Sequence, residues 1–141
     1  MPDVVLDASL ALRWVLPDER TASADRVLNQ WETGNLQIVV PPLFWAELVN
    51  GLFQAYRRQR IQWGEAEEGF RLFATRHIRV SDLDTQAYGR TLQMAHQLSP
   101  NAAYDLVYLA LAQSLGIEFR HSDRRLDTSL GNQFPWARYI G

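Results

Sequence analysis

The chain has 141 residues, 47% of them hydrophobic and 21% charged, which suits one domain with a substantial core. It has no cysteine, so disulfides and thiolate metal sites are excluded; all 14 basic residues are arginine, so lysine-dependent phosphate chemistry is excluded too. The net charge of −2 does not decide for or against nucleic acid, because arginines gathered on one face act locally. The opening Met1-Pro2-Asp3 carries no basic leader, and no apolar stretch reaches membrane-spanning length. A single cytoplasmic domain over 1–141 is expected.

Val4-Val5-Leu6 reads as a strand buried on both faces, followed at once by Asp7-Ala8-Ser9. Asp7 then lies at the carboxyl end of that strand, where open α/β sheets place ligands. Asp7 or Ser9 equally suits the cap of the helix that follows. That helix spans 8–16 and stops at Pro17, and a polar connector, 18–21, leads to a second helix over 22–31. Residues 36–40 form the second strand. Pro41-Pro42 opens a long helix with Leu43, Phe44, Leu48, Leu52 and Tyr56 on its apolar face. Arg57, Arg58 and Arg60 close it, either as a solvated end or as contacts to RNA.

A further amphipathic helix spans 63–74, with Glu65, Glu67 and Glu68 on its wet side. Residues 77–80 read as a third strand and 82–97 as a helix. Ser99-Pro100-Asn101 breaks the pattern and supplies a cap. The helix predicted over 102–115 is apolar nearly all round, as a buried helix is. A strand over 117–119, a short helix over 124–130 and an edge strand over 136–140 complete the chain. This alternation predicts a three-layer α/β/α sandwich around a central, mostly parallel five-stranded sheet.

Four carboxylates occur where carboxylates are least expected. Asp7 ends the first strand, Glu47 lies near the start of the long helix, Asp105 near the start of the most apolar one, and Asp123 follows the fourth strand. Each has an ordinary role open to it as a cap, a turn residue or a boundary group. In a parallel sheet, however, strand ends and the starts of following helices share one edge, which would gather all four. Two carboxylates about 5 Å apart repel by roughly 3 kcal/mol at an effective dielectric near 20. Such a cluster must take up protons or a cation. Oxygen ligands alone suit Mg²⁺, with Mn²⁺ as a substitute, and such ions support phosphodiester hydrolysis.

These motifs resemble PIN-domain ribonucleases, in particular the VapC-like toxins of toxin–antitoxin pairs. The resemblance runs through Val5-Leu6-Asp7-Ala8-Ser9, Pro41-Pro42-Leu43 to Glu47-Leu48-Val49-Asn50, Tyr104-Asp105-Leu106-Val107-Tyr108-Leu109-Ala110, and Ser122-Asp123-Arg124-Arg125-Leu126. It implies a Mg²⁺-dependent endoribonuclease with Asp7, Glu47, Asp105 and Asp123 as catalytic acids and metal ligands. It also implies Ser9 as a supporting hydroxyl, an RNA substrate, an antitoxin protein that covers the acidic pocket, and a homodimer. Arg124 and Arg125 are the nearest candidates for RNA contact. The family commonly has Thr or Ser two residues before its last acid, where this chain has His121, and an apolar residue where it has Arg120. His121 is expected either to replace the hydroxyl as a donor behind the acids or to be an exposed histidine, and Arg120 to pair with Asp123 or meet phosphate.

Two other classes compete. One is a binding module that keeps the fold without catalysis, disfavoured by the presence of all four acids. The other is aspartate-based phosphotransfer, which needs a lysine near the phosphate, and this chain has none. Five tryptophans, Trp14, Trp31, Trp45, Trp63 and Trp136, are expected in the core or at a protein interface.

Overall fold

The computed structural model describes residues 2–100 and 103–141. Five strands, β1 (Asp3–Leu6), β2 (Gln37–Val40), β3 (Arg79–Val80), β4 (Glu118–His121) and β5 (Ala137–Tyr139), form one sheet in the order β3-β2-β1-β4-β5. All four pairings are parallel. Strand β1 is the middle of the sheet, which explains its unbroken apolar run: Val4, Val5 and Leu6 are at most 1% exposed. Seven helices cover the sheet in a three-layer α/β/α sandwich: α1 (Ala8–Val15), α2 (Ala22–Glu32), α3 (Leu43–Arg57), α4 (Trp63–Ala74), α5 (Thr85–Leu98), α6 (Tyr104–Leu115) and α7 (Arg124–Leu130). Helix α1 packs on α2, α3 and α4, while α6 packs on β1, β4 and α5. No helix among the described residues is long and apolar enough to cross a membrane.

Local chemistry sets most boundaries. Helix α1 stops one residue earlier than expected, because Leu16 precedes Pro17 and is held extended. Residues Pro17–Glu19 then make one 3-10 turn inside the expected connector. Helix α5 starts at Thr85 and not at 82, because the Asp84 carboxylate caps it by accepting from the Ala87 N–H at 2.8 Å. It ends where Ser99 turns left-handed just before Pro100. The expected cap Asn101, and the expected first residue of α6 at 102, lie outside the described residues; α6 begins at Tyr104.

Strand β4 continues two residues past the expected end, to Arg120 and His121. Pairing of Arg120 with Leu6 and of His121 with Tyr139 outweighs the modest strand preference of these residues. Strand β3, at the sheet edge, is only two residues long. Trp14, Trp31 and Phe73 stack on one another with centroids 5.7–5.9 Å apart, filling the junction of α1, α2 and α4. Trp63 differs from the core tryptophans: it is 53% exposed, edge-on to Tyr56.

Candidate active site

The four acids come from four elements at the carboxyl edge of the sheet. Asp7 and Asp123 are the caps of α1 and α7, accepting from the Leu10 N–H and the Leu126 N–H, each at 3.1 Å. Capping therefore leaves both carboxylates at that edge. Asp7 is also buried, and the Ser9 hydroxyl donates to its Oδ1 at 2.6 Å. The same hydroxyl accepts from the Ser122 N–H at 2.9 Å, which ties the end of β1 to the segment leaving β4. Glu47, in the second turn of α3, accepts from the phenol of Tyr108 on α6. Asp105 stands in the first turn of α6 and is half-buried.

The acids feel one another. Burial pushes the Asp7 carboxyl up to about 7, and the charges of Glu47 and Asp123 add to this against the lowering by Ser9 and the Leu10 N–H. Glu47 is raised by burial first and by Asp105 as well, against the Tyr108 hydrogen bond. Asp105 is raised by burial and by Asp123. Among the described residues no arginine or histidine forms an ion pair with any of the four. The cluster thus carries an uncompensated acidic field made of oxygen donors.

That donor set fits a hard divalent cation. Among the described residues, no three acids or imidazoles stand in the spacing that holds one ion. Asp7 commits an oxygen to Ser9, and Glu47 one to Tyr108. The chemistry fits, and the spacing is open.

His121 is fully buried and lies in a column of rings, stacked on Phe119 and edge-on to Tyr139. Its Nδ1 accepts from the Asp123 N–H at 3.2 Å, so it fixes the backbone of the last acid, as an acceptor and not as the expected donor. Nε2 is buried without a partner, and burial lowers the imidazole's affinity for a proton. Arg120 does not pair with Asp123. Residues two apart share a strand face, so its guanidinium meets Glu118 at 2.7 Å and Gln30 at 3.3 Å.

Arg125 lines a cleft of about 400 Å³ together with Asp105, Asp123, Thr128 and Ser129. Arg124 instead lies over the Tyr139 ring, 5.4 Å from its centroid. Arg60 is committed elsewhere: it grips Asp18 through two bonds of 2.8 Å and Glu19 through one of 2.5 Å, pinning the 3-10 turn to the end of α3. Tyr108 and Ser122 were not singled out from sequence. Tyr108 had a signal, since a phenol in an otherwise aliphatic buried helix needs a polar partner. Ser122 acts through its backbone and had none.

A second concavity, about 490 Å³ and apolar, lies between α3 and α4, lined by Val49, Phe53, Trp63 and Phe70. None of the four acids lines it.

Several solved structures share the fold, three of which follow. PAE2754 from Pyrobaculum aerophilum aligns with a TM-score of 0.70 at 18% identity, over 99% of this chain and 90% of that one. A toxin–antitoxin complex from Klebsiella pneumoniae gives 0.64 at 13% identity, over 98% of each chain. VapC20 of Mycobacterium tuberculosis, a sarcin-ricin loop cleaving toxin, gives 0.53 at 14% identity, over 89% of this chain and 94% of that one. No curated protein matches the chain in sequence. The model of the PIN domain matches residues 4–128, a span that holds all four acids, and the chain therefore belongs to the PIN domain family.

Proposed function

We propose that this protein is a divalent-metal-dependent endoribonuclease and the toxin of a toxin–antitoxin pair, acting in the cytoplasm. The observation that carries the reading is that Asp7, Glu47, Asp105 and Asp123, from four elements, lie near enough to act on one another electrostatically, without a cationic side chain paired to them among the described residues. These four residues would hold Mg²⁺, or Mn²⁺ in its place. Bound there, such a cation would supply activation of water and charge stabilisation for the leaving oxygen of a phosphodiester.

The chain's own residues supply placement and exclusion. Ser9 orients the Asp7 carboxylate, and His121 orients the backbone of Asp123. Arg125, on the wall of the acidic cleft, offers a fork for an RNA phosphate. Metal-free cleavage by the RNA's own 2′-hydroxyl would need a positioned acid and base, typically a histidine pair. His121 is the one histidine in this site, and its Nδ1 is occupied.

An antitoxin partner is supported by the Klebsiella neighbour, itself solved as a toxin–antitoxin complex. An antitoxin arginine reaching the acids would supply the charge that a cation otherwise provides. The exposed aromatic groove between α3 and α4 supports a protein interface on the N-terminal half, in a homodimer or with the antitoxin.

End-mapping of cleaved RNA tests the reaction. Water attacking phosphorus breaks the P–O3′ bond and leaves a 5′-phosphate and a 3′-hydroxyl. Cleavage should stop in EDTA, return with Mg²⁺ or Mn²⁺, and survive 2′-O-methylation at the cut. A 2′,3′-cyclic phosphate product, or cleavage undiminished by EDTA, overturns the reading. RNA binding without cleavage would identify a silent binding module instead.

A further inference from the structure

We infer that Tyr108 is a positioning residue: its buried phenol fixes the orientation in which the Glu47 carboxylate would meet a divalent cation. The inference rests on the metal reading of the acidic cluster and deepens it. Its basis is the hydrogen bond between Tyr108 on α6 and Glu47 on α3, two residues 61 positions apart in the chain.

Neither partner is positioned by its own element alone. Glu47 is half-buried on α3 and, as a long side chain, has several rotamers open to it. Tyr108 has little such freedom. It is 1% exposed, and its ring lies on Phe119 with planes 8° apart and centroids at 6.1 Å. Phe119 belongs to β4, the strand that leads to Asp123, and it stacks in turn on His121, which holds the Asp123 backbone. One column of rings therefore sets both Glu47 and Asp123, from beneath the cluster.

The consequence for ligation is specific. The phenol O–H donates to Oε1, and that bond takes up one lone pair and restricts rotation of the Glu47 carboxylate. Loss of the hydroxyl frees the carboxylate to rotate, at a cost in cation affinity with no change in the net charge of the site. Hydrogen-bond partners behind metal ligands typically set affinity within about 10–100-fold.

The test is Mn²⁺ binding, followed by calorimetry and by the electron paramagnetic resonance of the free ion, without RNA. Tyr108→Phe keeps the ring and its stacking and removes one oxygen. It should weaken Mn²⁺ binding about 10–100-fold, while thermal unfolding in EDTA shows the fold retained. The same substitution made on a Glu47→Gln background should change Mn²⁺ binding little, because the carboxylate it acts through is already gone. In the unaltered protein, a slowly exchanging Tyr108 hydroxyl proton should shift on addition of Mg²⁺, a readout that needs no variant to fold. Equal weakening on both backgrounds would mean that Tyr108 acts through general packing, and unchanged affinity in Tyr108→Phe would remove its role altogether. An unaltered protein that binds no Mn²⁺ would overturn the metal reading itself, and this role with it.

Discussion

Ser9 bridges Asp7 and Ser122: its hydroxyl donates to the carboxylate of the first at 2.6 Å and accepts from the N–H of the second at 2.9 Å. One oxygen thus serves a buried acid and a buried backbone donor from the opposite end of the chain. Ser9→Ala should cost about 1–3 kcal/mol, the penalty for leaving a buried polar group unpaired. Urea denaturation at fixed pH measures it. The Asp7 carboxyl should also move further up, having lost a donor that lowers it.

The pH dependence of stability has a definite sign in the metal-free protein. Folded Asp7 holds its proton up to about pH 7, whereas unfolded Asp7 loses it in the ordinary carboxylate range. Between those limits the folded state binds more protons, so stability falls as pH rises, by at most about 1.4 kcal/mol per pH unit from this group. Glu47 and Asp105, also raised, act in the same direction. His121, lowered by burial, acts in the opposite one, since its stability contribution is lost as pH falls. Comparing the unaltered protein with Asp7→Asn isolates Asp7: the variant should show the flatter decline between pH 5 and 8 in EDTA.

Replacing Asp7 or Asp105 with Asn removes one negative charge at nearly constant shape. Cleavage of RNA should drop by about 100-fold or more, the scale of losing one electrostatic stabiliser. Folding stability without metal should hold or rise, for Asp7→Asn above about pH 7 where that carboxyl is ionised, because like-charge repulsion is relieved. Full activity in either variant would remove that residue from the site.

Arg125 and Arg124 should separate in RNA binding. Measured on an Asp105→Asn background, Arg125→Ala should weaken binding and reduce the salt dependence by about one phosphate contact. Arg124→Ala should do less, because that guanidinium already lies against Tyr139.

Arg60→Ala should leave RNA cleavage unchanged and lower thermal stability. The loss should shrink in high salt, since all three carboxylate contacts are near the surface. Melting curves at low and high salt check this.

The reading of the chain succeeded where local chemistry decides the outcome. Helices α4 and α7 fall on their expected bounds, because Glu65 reaches back to accept from the Gln62 N–H at 2.9 Å, Asp123 caps α7, and their apolar spacing is regular. The acids could be singled out because strand ends and helix starts mark where a parallel sheet collects them. It faltered where partners come from far away in sequence. Adjacency assigns Arg120 to Asp123 or to phosphate, yet strand alternation turns it to Glu118. The Tyr108–Glu47 bond spans 61 residues, and no spacing rule reaches that far. His121 looked polar and proved to be core, because pairing with Tyr139 drew β4 past its apolar segment.

The central place of β1 bears on how the molecule is made. Val4 pairs with Ile38 on one side and with Glu118 on the other, so one edge of the first strand waits for almost the last. Contacts of such sequence separation form late and slowly. Synthesis runs from the N-terminus, so Asp7, Glu47 and Asp105 are all made before their fourth companion, and before the strand that brings Asp123 beside them. A growing chain therefore carries three of the acids without the arrangement that joins them. Whatever the cluster can do to RNA is withheld until β4 has been made and has paired with β1.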